Sequence, residues 1–188
     1  MKYDNLLYLD IDFLSEKYEE ETGVAPSTVI SKNEGMDAQA GVSFLKSKLH
    51  SQVTKQYTAS NQVMLKATRK SLEQYPKSTH SLEVGMVPGN YWVEGELSIG
   101  QWGENKNSKT ALNQFYEIKS GEITYSLLPQ NEYFLANLQA LEIISPALQR
   151  HINIPVTMLC KVLYPLPDIK TIVSTPYIIQ TKGYGDRE

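Results

Sequence analysis

From Asn90 to Gly103 the chain alternates its side chains with period two, and no other stretch limits the possible folds as tightly. Tyr91, Val93, Leu97 and Ile99 fall on one face, with Trp92, Glu94, Glu96, Ser98 and Trp102 on the other. Successive side chains of a strand point to opposite sides, so the pattern predicts one long strand with a core-facing surface and a water-facing surface. A strand solvated on one side belongs to an antiparallel sheet, because parallel sheets are covered on both faces. The expected class is α+β, a mainly antiparallel sheet with helices packed on one face.

The flanking segments read as neighbours or cover for this strand. Leu6-Leu7-Tyr8-Leu9 fits a short buried strand. Asp10 or Asp12 then suits an N-cap for a helix carrying Ile11, Leu14 and Tyr18, which Gly23 can stop. Residues 24–41 hold Pro26, Gly35 and Gly41 without sustained period and read as a mobile loop. Val42 to Tyr57 keeps helical spacing through Leu45, Leu49 and Val53; its Ser, Thr and Val content also suits a strand, and helix is the preferred reading. Asn61 to Tyr75 is a clearer helix, closed by Pro76. Ser120-Gly121 joins two alternating runs as a hairpin. Asn131 can cap a helix with Phe134, Leu135, Leu138, Leu141 and Ile144 on one stripe. Val156 to Tyr164 reads as a central strand ended by Pro165, and Tyr177 to Thr181 as a last one.

With 188 residues the chain suits a single globular domain, 1–188. Its 41% hydrophobic and 21% charged residues exclude wholesale disorder and a fibrous architecture. Cys160 is the sole cysteine, and no leader or long apolar run appears, so an intracellular, cytoplasmic protein without membrane contact is expected. The net charge of -3 hides an asymmetry along the chain. Asp4 to Glu21 is acidic, whereas Lys46, Lys48, Lys55, Lys66, Arg69, Lys70 and Lys77 make a basic stretch. Such asymmetry marks a partner surface, or two segments that lie near one another.

Asp10 and Asp12, following an apolar run, resemble the start of the haloacid-dehalogenase phosphatases, which implies a nucleophile and an acid/base beside magnesium. Phe13-Leu14 stands where that motif has glycine-threonine, and helix capping accounts for these aspartates as well. Glu94 and Glu96 share a strand face with Cα atoms about 7 Å apart. Beside Trp92 and Trp102 they offer a sugar or hydrolase site, yet adjacent same-face carboxylates point together into solvent instead of facing across a substrate. His50, His80 and His151 lack metal-site spacing, and no glycine-rich phosphate loop is present. Lys46, Lys66, Arg69 and Lys70 are the candidate nucleic-acid contacts.

Tyr8-Leu9-Asp10, Gly41-Val42-Ser43, Val93-Glu94-Gly95-Glu96-Leu97 and Lys161-Val162 together resemble a bacterial domain family of unknown function. The resemblance implies a bacterial or phage intracellular protein and brings no catalytic residues. The reading that follows is a non-enzymatic binding or regulatory module without cofactor or metal. It would contact a protein partner or its own copy through Trp92, Glu94, Glu96 and Trp102. The alternatives are a hydrolase using Asp10/Asp12 or Glu94/Glu96, and a nucleic-acid binder using the basic stretch 46–77.

Overall fold

A computed structural model of the chain describes residues 5–26, 28–32, 53–57, 60–78, 88–102, 113–135 and 151–182. The alternating stretch is a single strand, β4 (Gly89–Trp102), and its neighbours are β5 (Asn113–Ser120) and β7 (Ile154–Leu166), both antiparallel to it. β5 turns through Gly121, at φ 60, into antiparallel β6 (Ile123–Leu127). β7 turns through Lys170 into antiparallel β8 (Thr171–Thr181). The first half of β8 then lies parallel to β6, with Thr124 opposite Thr171 and Leu127 opposite Ser174. That pairing joins the two ends of the sheet, and β4, β5, β6, β8 and β7 form a closed five-stranded barrel.

The closure corrects the expected class. An open sheet covered on one side by helices would leave one face to water, whereas the inward side chains here meet each other across a barrel. Val93, Leu97, Ile118, Tyr125, Met158, Val162 and Ile172 are all buried there. Each such side chain is worth about 1.5–3 kcal/mol relative to exposure. Only two α-helices appear among the described residues, against eight strands. Closing so few strands requires sharp coiling. Gly95 allows it on β4, since a Cβ there would sit 2.5 Å from the Lys119 carbonyl oxygen. Register shifts on the β7–β8 pair, at Leu159/Cys160 and Val162/Tyr164, supply further bends.

A second apolar layer lies outside the barrel. β1 (Leu6–Leu9) pairs with the far half of β8, Leu9 opposite Ile178. It leads through Asp10 into α1 (Ile11–Thr22), whose C-terminus is closed by Gly23 at φ 70. α2 (Asn61–Leu72) starts at Ser60, whose Oγ accepts from the Val63 N–H. Phe13, Leu14, Met64, Leu65 and Leu72 from the helices close over Leu6, Leu9, Trp92, Leu159 and Ile178. Phe13 stacks on Tyr177 with centroids 3.8 Å apart. Trp92 anchors α2, because its indole Nε1 donates to the Leu72 carbonyl at 2.8 Å. The chain beyond α2 then runs beside β4, where the Trp92 N–H donates to the Pro76 carbonyl and the Trp92 carbonyl accepts from Ser78.

Three further expectations change. Val53–Tyr57 is a strand, β3, antiparallel to β2 (Thr28–Lys32), so the end of the expected helix over 42–57 and part of the expected loop over 24–41 are extended. Of the rest, residues 27 and 33–52 lie outside the described residues. The helix expected from Asn131 is a 3-10 turn over Asn131–Tyr133, after which Phe134 is extended and bridged to Tyr8. Leu135 donates to the Leu7 carbonyl, and Leu138 to Ile144 lie outside the described residues. β8 begins at Thr171, well before Tyr177.

Trp92→Phe keeps an aromatic ring under α2 but leaves the Leu72 carbonyl without its donor, so a loss of about 1–3 kcal/mol is expected. Trp92→Ala should cost more, about 3–5 kcal/mol, because it also opens a cavity. Urea denaturation of the two variants checks both the order and the gap.

Candidate functional site

Glu94 and Glu96 leave the outer face of β4 where Gly95 brings β5 close, and both are exposed. They line an open groove of about 580 Å³ with Lys119, Gly121, Pro155 and Lys182. Glu96 pairs in register with Lys119 on β5 and Pro155 on β7, so opposite charges stand directly across the strands. The Glu94 carboxylate holds two ammonium groups, Lys182 in direct contact and Lys77 at 3.9 Å. The Ser120 hydroxyl donates to the Glu94 carbonyl and fastens the floor of the groove. Gly121 adds no side chain to the groove, whereas a Cβ on Gly95 would point the other way, at Ile118 and the Lys119 carbonyl.

This geometry suits electrostatic recognition better than acid/base chemistry. Both carboxylates project the same way from one strand, and that of Glu94 is engaged by two ammonium groups instead of facing a second carboxylate across a substrate. The outer face beyond the groove continues with Glu117, half-buried, opposite Ser98 and Ser126. Trp92 shares the parity of the glutamates, yet it is covered by α2 and lies outside the groove. Trp102 pairs through its backbone with Asn113 at the far end of β4. The structure therefore brings Glu94 and Glu96 together and separates them from Trp92. Lys119 and Lys182 escaped the sequence reading, and Lys77 was read only as part of the basic stretch, because their arrival at the groove depends on strand pairing. Only Lys119 carries a local signal, its position next to the Ser120-Gly121 turn.

Asp10 and Asp12 do not share a cleft. Asp10 is buried, and its Oδ1 caps α1 by accepting from the Phe13 N–H at 3.0 Å. Burial raises its pKa above the usual aspartate value, and the nearby Asp12 and Glu16 charges add to the rise, while the Phe13 N–H opposes it. Asp12 points elsewhere and accepts a hydrogen bond from the Tyr133 hydroxyl. Burial, followed by that bond to Asp12, raises Tyr133 in turn. Cys160 is buried in the barrel, and desolvation pushes its thiol up to about 12, the profile of an inert core residue.

On α2, Lys66 and Lys70 are exposed one turn apart, whereas Arg69 pairs with Glu73 at 2.7 Å. Lys46, His50 and His80 lie outside the described residues, and His151 is exposed. α1 and α2 pack side by side, so the acidic and basic segments do lie next to one another. Among the described residues there is no cluster of three or more His, Cys, Asp or Glu able to hold a metal ion. Among the same residues no helix is long and apolar enough to cross a membrane.

The buried Asp10 carboxyl sets a pH dependence. Its folded value is raised, so the folded state takes up the proton first and stability increases as pH falls from neutral through that value. The gain is complete once the pH is below the usual aspartate value. Asp10→Asn keeps an acceptor for the Phe13 N–H and removes the charge, so it should flatten this part of the stability profile and stabilise the neutral-pH protein. Urea midpoints compared from about pH 4 to about pH 8 measure the difference. Comparison of the chain with protein-family models, with curated proteins and with solved structures found no match.

Proposed function

We propose that the chain is a non-enzymatic binding module that contacts a protein partner through the charged groove on the outer face of β4 and β5. The observation that carries the reading is Glu94, exposed and flanked by Lys77 and Lys182 beside the Glu96–Lys119 pair. Fixed charges of both signs on a rigid barrel wall give orientation and partner choice more than raw affinity. The strand order supports a binding role by analogy. Counted along the barrel, its strands neighbour one another as first, second, third, fifth, fourth and first again, with the third and fifth parallel. Five-stranded barrels of this kind hold oligonucleotides and oligosaccharides in other proteins. A shared barrel does not assign a ligand, and the charges decide. On this face Glu94, Glu96 and Glu117 are interspersed with Lys77, Lys119 and Lys182, and charge of both signs suits a protein surface better than a uniform polyanion.

The exposed Lys66 and Lys70 of α2 support a second reading, nucleic-acid contact on the helical layer. Two phosphate contacts give a shallow salt dependence, with a slope of about -1.8 on B-DNA, and weak binding. Retention on a polyphosphate column at low salt, lost in Lys66→Glu/Lys70→Glu, would establish it.

For the groove, affinity capture from an extract of the source cells compares the unaltered chain with Glu94→Lys/Glu96→Lys. Partner recovery should fall at least about tenfold in the variant and should also fall with added salt. Equal recovery by both proteins, or no partner with either, would remove the proposal.

A further inference from the structure

The charges around the groove are not all used in the same way. Glu94 is engaged by Lys182 and Lys77. Glu96 and Lys119 stand directly opposite each other on β4 and β5, both exposed, yet among the described residues neither side chain takes part in an ion pair or a hydrogen bond. Opposite charges in that position ordinarily contact each other and stabilise the sheet. Equally exposed neighbours elsewhere do meet, Arg69 with Glu73 at 2.7 Å and Lys170 with Glu122 at 2.6 Å. On the other side of Glu96 lies Pro155, whose carbonyl accepts from the Lys182 N–H at 2.9 Å. Across the strands from the end of β8 to β5 the face therefore carries a cation, a neutral ring, an unpaired carboxylate and an unpaired ammonium.

We propose, resting on the reading of the groove as a protein-binding surface, that its occupant is an extended segment of the partner carrying an arginine and an acidic residue two positions apart. The guanidinium meets Glu96 and the carboxylate meets Lys119. Arginine suits the first role because its fork grips a carboxylate bidentately and because it is enriched at interfaces. Glu94 is not the acceptor, since Lys77 and Lys182 already engage it. An extended segment suits the pair because its residues i and i+2 point the same way about 7 Å apart, which keeps their charges from satisfying each other before binding. On a helix, opposite charges at i and i+4 meet and arrive already neutralised. A segment of one sign alone would satisfy one of the two groups and be repelled by the other. Because Glu96 and Lys119 belong to different strands, the segment crosses β4 and β5 and does not lengthen the sheet.

Nuclear magnetic resonance titration of the full chain with synthetic peptides tests the chemistry. The probes are a Gly/Ser frame holding Arg-Ser-Asp, the same frame with the arginine alone or the aspartate alone, and free arginine. The Arg-Ser-Asp peptide should shift the amides of Glu96, Lys119 and Gly121 and bind at least about tenfold more tightly than any other probe. Glu96→Gln should lose the preference for arginine and keep that for aspartate, and Lys119→Met should do the opposite. Lys66→Glu/Lys70→Glu on α2 should change nothing. Single-charge peptides or free arginine binding as well as Arg-Ser-Asp, preferences unchanged in the two groove variants, or no shift at the groove with any probe would overturn the proposal. In capture from the source cells, recovery should fall at least about tenfold with Glu96→Gln/Lys119→Met, which leaves the Glu94 ion pairs in place. A partner lost in Glu94→Lys/Glu96→Lys but retained in Glu96→Gln/Lys119→Met would overturn this proposal and leave the groove reading standing, whereas no partner at all would remove both.

Discussion

The parallel ladder between Thr124–Leu127 and Thr171–Ser174 is short, and the barrel depends on it. Without it β5, β4 and β7 would form an open sheet whose inward side chains face water. With it Ile118, Tyr125, Met158 and Ile172 enclose one another. The same strand that closes the ring also carries β1 along its far half, and β1 delivers α1 and the Phe13–Tyr177 stack to the outer layer. One strand therefore fixes the position of both apolar clusters. Trp92 is the fastening on the other side, because its ring fills the gap under α2 while its backbone bonds the segment that follows the helix.

The sequence made β4 legible because a strand with one face in a core records that fact in every second residue. α1 was equally legible from Asp10, Gly23 and the apolar positions between them. Closure was not, since the alternation that describes a strand contains nothing about which strand it will meet. The start of β8 was hidden for a local reason. Pro176 and the run of Ser and Thr before it look like a loop, and the proline is tolerated because the pairing with β7 is irregular around Cys160. Val53 to Tyr57 was misread as helix because Val53 and Tyr57 stand four residues apart, a spacing that a short hairpin strand can also contain. The shared face of Glu94 and Glu96 could be read directly. The departure of Trp92 from that face could not, because same-parity residues on a long strand can be covered by different neighbours.

The charge pattern has a simpler explanation in three dimensions than along the chain. The acidic helix α1 and the basic helix α2 are neighbours, which moderates the repulsion each segment would feel alone. Lys77, close behind α2 in sequence, reaches across to Glu94 and ties the helical layer to the barrel groove electrostatically. Exposed ion pairs of this kind contribute about 0–1 kcal/mol. Their effect on how charged surfaces approach one another is larger than their effect on stability.

The order in which β8 collects its neighbours bears on biosynthesis. β4, β5 and β6 can pair as soon as they leave the ribosome, but the ring stays open until residues 171–181 have emerged. At about 5–20 residues per second, the nascent chain spends several seconds with an uncovered sheet between the appearance of β6 and that of β8. Vectorial folding therefore begins at the middle of this protein and ends at its last strand, and the interval between them is when a chaperone would have a surface to hold.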